Sequence, residues 1–231
     1  YYDGSGGDEY AGWGFIVTDW HGNVLFERWG RVETDGTQPG FLGADTHSNN
    51  TGEVTGFIEL MIYLFYESPL PWRDTGIVFA YDSTYSVGVG TGAWRANDNT
   101  ALIQTARTLW EAFEDHPVYG LKIKSHVDNP YNGRADELAD LGARGDPCPS
   151  RRLYSTDVVL REVSTYVRAN SIRFNPPPAR ATLPPDINTT YHQLVKVGKV
   201  ISDIVCASRN PGLGLSTPYL SCRCLQWWHS R

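Results

Sequence analysis

The run Gly76-Ile77-Val78-Phe79-Ala80-Tyr81, closed by Asp82, constrains the fold of this 231-residue chain more than any other stretch. A short, continuous apolar run is typical of a parallel strand covered on both faces, whereas a half-exposed antiparallel strand alternates. Parallel strands are joined by long crossovers, usually helices, so the flanking segments should be helical. Upstream, Val54, Phe57, Ile58, Met61, Ile62, Leu64 and Phe65 recur at helical spacing. Ser48-Asn49-Asn50-Thr51 offers N-cap residues for that helix, and Pro69 and Pro71 end it. Downstream, a glycine-rich stretch runs to Gly92. Ala101 to Phe113 then places Leu102, Ala106, Leu109, Trp110 and Phe113 on one face.

The remaining segments complete an α/β pattern. Tyr1-Tyr2-Asp3 reads as the end of a strand, with Gly4-Ser5-Gly6-Gly7 as a tight turn after it. Gly12 to Val17 and Val24 to Val32 form a hairpin across Asp19-Trp20-His21-Gly22-Asn23. Val118 to Lys124 alternates as a strand, and Tyr131 to Ala143 reads as a helix. The order βββ-α-β-α-β-α predicts a mixed sheet of five strands with helices packed on it. After Gly145 the pattern fades. Val158 to Val167 and Tyr191 to Val205 have helical character, separated by the proline clusters at 176–178 and 184–185. The division expected is therefore a folded domain over 1–145 and a basic, partly helical or disordered extension over 146–231.

Charge follows this division. Residues 1–143 hold 21 acids and 8 Lys/Arg, a net of −13, while residues 144–231 carry a net of +7. An acidic body is a poor nonspecific ligand for nucleic acid, and a basic arm is a reasonable one. No apolar run approaches the ~20 residues of a membrane helix. The four cysteines, Cys148, Cys206, Cys222 and Cys224, lie outside the expected core. Cys222-x-Cys224 with His229 is an incomplete zinc pattern, so the better reading is incidental thiols in a reducing, intracellular compartment, with nucleus and cytoplasm not distinguished.

Four acids come from four elements: Asp3 at the end of the first strand, Glu53 in the first turn of a helix, Asp82 at the end of the buried strand, and Asp136 on the last helix of the body. Ligands in α/β sheets bind at the carboxyl ends of strands. Carboxylates gathered there repel one another unless a cation binds them. Mg²⁺ is a hard ion that takes oxygen ligands, and two such ions ~3.5–4 Å apart can stabilise both the attacking and the leaving oxygen of a phosphodiester displacement.

The motifs around these acids resemble those of the ribonuclease H family. Asp3-Gly4-Ser5 is similar to that family's first-strand Asp-Gly-Ser. Asn49-Asn50-Thr51-Gly52-Glu53 is similar to its Asn-Asn-x-x-Glu helix start, and Asp82-Ser83-x-Tyr85 to its Asp-Ser-x-Tyr. His126, Asn132, Arg134, Asp136, Glu137, Leu138 and Ala139 match its His-x5-Asn-x-Arg-x-Asp-Glu-Leu-Ala, the most specific of the four. The resemblance implies a ribonuclease H-like fold, with a five-stranded mixed sheet and helices on both faces. It implies a metal-dependent endonuclease cutting the RNA strand of RNA–DNA hybrids, with two Mg²⁺ ions as cofactors and Mn²⁺ as a substitute. Asp3, Glu53, Asp82 and Asp136 become the metal ligands, and His126 the mobile-loop histidine that assists proton transfer or product release. Gly4, Ser5, Asn49, Asn50 and Asn132 become substrate contacts, with 2′-hydroxyls distinguishing the RNA strand.

The chain departs from the family pattern in places. Only Tyr1 and Tyr2 precede Asp3, so strand one is expected to be truncated at its start. Ala93 to Asn99 is short and nearly uncharged where many members carry a basic, Trp-rich protrusion. Glu59 in Ile58-Glu59-Leu60-Met61 offers a second glutamate register, and the spacing from Asn49-Asn50 favours Glu53. These departures support an alternative: a catalytically weak or inactive nucleic-acid-binding module on the same fold, such as a retroelement remnant.

Overall fold

A computed structural model of the chain describes residues 1–7, 9–123 and 129–171. An antiparallel meander opens the fold: β1 (Tyr2–Gly6), β2 (Ala11–Thr18) and β3 (Val24–Arg31). Helix α1 (Asn49–Ile62) follows and runs into a π-helical turn, Tyr63–Glu67. The short helix α2 (Trp72–Thr75) leads into β4 (Ile77–Tyr81). Helices α3 (Thr84–Gly90) and α4 (Thr100–Trp110), strand β5 (Val118–Lys122), and helices α5 (Pro130–Arg144) and α6 (Thr156–Ser171) complete the order. The run at Gly76–Tyr81 is the parallel strand its composition required, paired with β5 from Ile77↔Val118 to Tyr81↔Lys122. The ladders join the five strands as β1–β2–β3 and β4–β5, and β4 lies beside β1.

Two boundaries differ from expectation. Gly4, Ser5 and Gly6 extend β1, pairing with Trp13, Gly12 and Ala11, instead of forming a turn. Glycine accepts ladder geometry when a partner strand is available, and β2 supplies one. The glycine-rich stretch before Gly92 contains α3, whose N-cap Ser83 accepts a hydrogen bond from the Tyr85 backbone N–H at 3.3 Å. Local capping outweighs the low helix propensity of its glycines.

Alternation along β1 and β2 places a helix on each face. Tyr2 packs on Phe57 of α1, and Phe15 on Tyr63, so this face carries the aromatic core. On the other face Gly12 and Gly14 lie against α5. A Cβ at Gly12 would overlap backbone atoms of Ala139 and Ala143, and one at Gly142 would overlap Gly30. The absence of these side chains is what lets α5 settle on the strands. Its start is set by Asn129, whose Oδ1 accepts from the backbone N–H groups of Tyr131 and Asn132 at 3.1 Å, with Pro130 at the first helical position. Its end is set by Gly145 at φ +80°.

Residues beyond α5 join the same body. Val159 and Val163 of α6 are fully buried in the main core. Arg152 is buried and donates to both carboxylate oxygens of buried Glu59, with its closest approach at 2.7 Å. Arg28 makes a bidentate pair with Glu67, which also accepts from the Tyr154 hydroxyl. The expected extension over 146–231 thus begins with a packed segment that continues to residue 171. The remaining expectations for it, including the helix at Tyr191–Val205, the cysteine cluster and the basic arm, lie outside the described residues.

Stability measurements on three single variants and one double variant check this packing. Gly12→Ala should cost about 3 kcal/mol in urea unfolding through overpacking. Gly133→Ala, on α5 with open space at its Cβ position, should gain about 0.5–1 kcal/mol. Arg152→Leu should cost about 3–5 kcal/mol by leaving Glu59 buried without its partner, and adding Glu59→Leu should recover most of that loss.

Candidate metal centre

Glu53, Asp3 and Asp82 converge from three elements. Glu53 lies in the second turn of α1, whose start is capped by the Ser48 hydroxyl accepting from the Thr51 backbone N–H at 3.1 Å. Gly4 and Gly52 allow α1 to touch β1 backbone to backbone, since a Cβ on Gly4 would overlap the Glu53 nitrogen. Asp82 follows the last residue of β4. One carboxylate oxygen from each of Asp3, Glu53 and Asp82 lies within 4.8 Å of the others. Asp3 is the second residue of β1, not its last, so it reaches the cluster from within a paired strand.

Burial sets the electrostatics. Asp3 and Glu53 are each 6% exposed, and Asp82 is half-buried. Burial pushes the Asp3 carboxyl up to about 8; the Asp82, Glu53 and Asp136 charges push the same way, against the Gly4 backbone N–H that donates to Asp3 Oδ1 at 2.8 Å. Burial likewise raises Glu53 to about 7, opposed by a hydrogen bond with Ser83 and by the Lys122 charge, and reinforced by Asp82. Carboxyls held this way take up protons unless a cation compensates them. An all-oxygen donor set suits a hard divalent ion such as Mg²⁺ or Mn²⁺, and these three residues fit one.

The other expected site residues are distributed around this cluster. Asp136 is exposed on α5; it lies outside the three-carboxylate group, although Asp3 feels its charge. Ser5, on the same face of β1 as Asp3, donates to Asp140, one turn beyond Asp136. Asn49 and Asn50 are exposed at the start of α1, and Asn49 Nδ2 donates to Glu53 Oε1 at 3.3 Å. Asn132 is buried, and its Oδ1 has no hydrogen-bond partner among the described residues. His126 lies outside the described residues.

Two contributors, Ser83 and Asn99, were given no role from the sequence. Ser83 both caps α3 and hydrogen-bonds Glu53, and an Asp-Ser pair between a strand and a helix is a visible capping signal. Asn99, at φ +51°, accepts from the backbone N–H of Asp45 at 2.8 Å and donates to Thr51 Oγ1 at 3.4 Å. It thereby ties the start of α4 to the loop that delivers α1. No spacing rule announces such a contact across more than fifty residues.

No family model matches the chain. Among curated proteins it is 36% identical over 117 residues to a ribonuclease H of Chlorobium phaeovibrioides, covering 46% of this chain and 75% of that protein. A ribonuclease H of Chlorobium luteolum is 29% identical over 160 residues, covering 64% of this chain and 95% of the relative. Among solved structures, the chain is similar to the ribonuclease H1 of the halophilic archaeon Halobacterium salinarum, at 22% identity and TM-score 0.43, covering 62% of this chain and 93% of the other. It is also similar to a ribonuclease H1 isolated from compost, solved in complex with an RNA/DNA hybrid, at 20% identity and TM-score 0.46, covering 62% and 94%. With a relative 36% identical and covered over 75% of its length, this chain belongs to the ribonuclease H family.

Proposed function

We propose that the protein is an endonuclease that hydrolyses the RNA strand of RNA–DNA hybrids with divalent metal ions. The observation that carries this reading is the convergence of Asp3, Glu53 and Asp82 within 4.8 Å at one edge of the fold. Family membership supports the substrate class. These three carboxylates would hold the ion, and Asp136 supplies a fourth carboxylate beside Asp3 for a second one. When bound, such ions stabilise charge on the phosphoryl oxygens and activate the attacking water.

The protein's own groups prepare that chemistry. Ser83 and Asn49 orient the Glu53 carboxylate, and the Gly4 backbone N–H orients that of Asp3. Exposed Asn49 and Asn50 stand at the start of α1, where they can reach a nucleic-acid groove. His126 is assigned proton transfer or product release. Phosphate and sugar contacts carry no direct sequence information, so cleavage should be tolerant of base identity.

Residues 124–128 and 172–231 aside, no described helix is long and apolar enough to cross a membrane. The intracellular assignment therefore rests on cysteine usage alone and belongs to this proposal.

A labelled hybrid should be cut in Mg²⁺ and in Mn²⁺, and Asp82→Asn should lower the rate by at least about 100-fold, equivalent to ~2.7 kcal/mol. An intact, folded protein that binds hybrid but leaves it uncut across both titrations would instead establish a non-catalytic binding module.

A second measurement uses the proton load. Asp3 and Glu53 bind protons more tightly in the folded protein, at about 8 and about 7, than at their ordinary values of 3.8 and 4.5. The metal-free fold therefore loses stability as pH rises from about 4 to about 8, and divalent ions counteract this by replacing the protons. Calorimetry in buffers of different ionisation enthalpy should show between about one and two protons released per ion bound at about pH 6.5, and almost none at about pH 9.5. Ion binding without proton release at the lower pH would place the ion elsewhere.

A further inference from the structure

Residues 1–143 carry a net charge of −13. Of their basic side chains, Arg28 is locked to Glu67, Arg134 to Glu27 and Glu137, and Arg107 to the backbone carbonyls of Val89 and Trp94. A polyanionic substrate approaching this edge meets an unfavourable field unless a cation lies at the point of contact.

Lys122 occupies such a point. It is the last residue of β5 and pairs in parallel register with Tyr81, the residue before Asp82. Phe79 packs on Phe57 of α1, so Tyr81, two residues further along, shares the face that α1 covers. In-register neighbours share a face, which puts Lys122 on the side from which α1 delivers Glu53. Lys122 is exposed, and its charge reaches Glu53, where it opposes a small part of the upward push from burial.

We propose that Lys122 is a substrate-binding residue of this site, its ammonium engaging a phosphate oxygen of the nucleic-acid backbone beside the carboxylate cluster. The inference rests on the hybrid-binding reading above and adds to it a specific cation at the carboxyl end of β5. In the metal-free protein the charge of the same ammonium is felt at Glu53. An ion held by Asp3, Glu53 and Asp82 would repel it, and a substrate phosphate would then offer it a counter-charge. Lys122 and the metal ion therefore oppose each other in the free protein and act together on the substrate. A residue serving only to neutralise Glu53 would not show this reversal.

The test compares Lys122→Met and Lys122→Arg with the unaltered chain, with the folded state verified by thermal melting. Mn²⁺ affinity is measured by calorimetry, and hybrid affinity by fluorescence anisotropy in Ca²⁺, under conditions verified by gel to leave the hybrid uncut, so that the cluster is filled by an ion as the proposal requires. Lys122→Met should bind Mn²⁺ several-fold more tightly and hybrid about tenfold more weakly. Its salt dependence of hybrid binding should flatten by about 0.7–0.9 in log–log slope, the loss of one phosphate contact. Lys122→Arg should restore hybrid affinity. Wild-type hybrid affinity and salt slope in Lys122→Met would overturn the proposal, as would failure of Lys122→Arg to restore binding. These outcomes are separable from the cleavage test: a chain that never cuts hybrid contradicts the nuclease assignment whatever Lys122 does, and a chain that cuts hybrid while Lys122→Met binds it normally contradicts this inference alone.

Discussion

Backbone-close packing of two helices against glycine-bearing strands is the constraint on which the rest of the structure depends. Gly12 and Gly14 receive α5 on one face, and Gly4 receives α1, with Gly52 of the helix lying against the strands. A side chain at any of these positions would separate helix from strand by an ångström or more, and a packed interior absorbs such a displacement poorly. Because α1 brings Glu53, α5 brings Asp136, and β1 itself carries Asp3, the same contacts that close the core also set the distances among the acids.

Gathering those acids is unfavourable in the metal-free protein. Asp3 and Glu53 are buried, near Asp82, and both carboxyls are driven toward protonation. The surrounding donors, the Gly4 backbone N–H and the Ser83 hydroxyl, offset only part of this. The cluster is thus held in an unfavourable state by the stability of its surroundings. Some of that stability comes from residues beyond α5. Arg152 returns to α1 and covers Glu59, and α6 inserts Val159 and Val163 into the core.

Glu53 and Glu59 show how similar residues diverge. Both lie on α1, and both are almost completely buried. Glu53 meets Asp3 and Asp82, while Glu59, six residues on, meets Arg152. A carboxylate that faces acids is poised to receive an external cation, whereas one that faces an arginine already has its counter-charge. The spacing from Asn49 and Asn50 separated the two in the sequence, but the partner of Glu59 lies 93 residues away, where no local pattern connects them.

By itself the sequence determined the order and type of the main elements, because hydrophobic period, capping residues and prolines act over a few residues and are read locally. It also determined which acids stand out, through the Asp-Gly-Ser, Asn-Asn-x-x-Glu, Asp-Ser and Asp-Glu-Leu-Ala segments. Tertiary structure alone decided that Gly4-Ser5-Gly6 is strand, because a turn and a ladder differ only in whether β2 is there to pair. It decided that Asp136 stands outside the tight three-acid group, that the segment around Arg152 belongs to the body, and that Lys122 pairs with Tyr81, the residue before Asp82. Each of these depends on a contact between residues distant in the chain, and such contacts are set by packing and register, which emerge only when the elements have assembled.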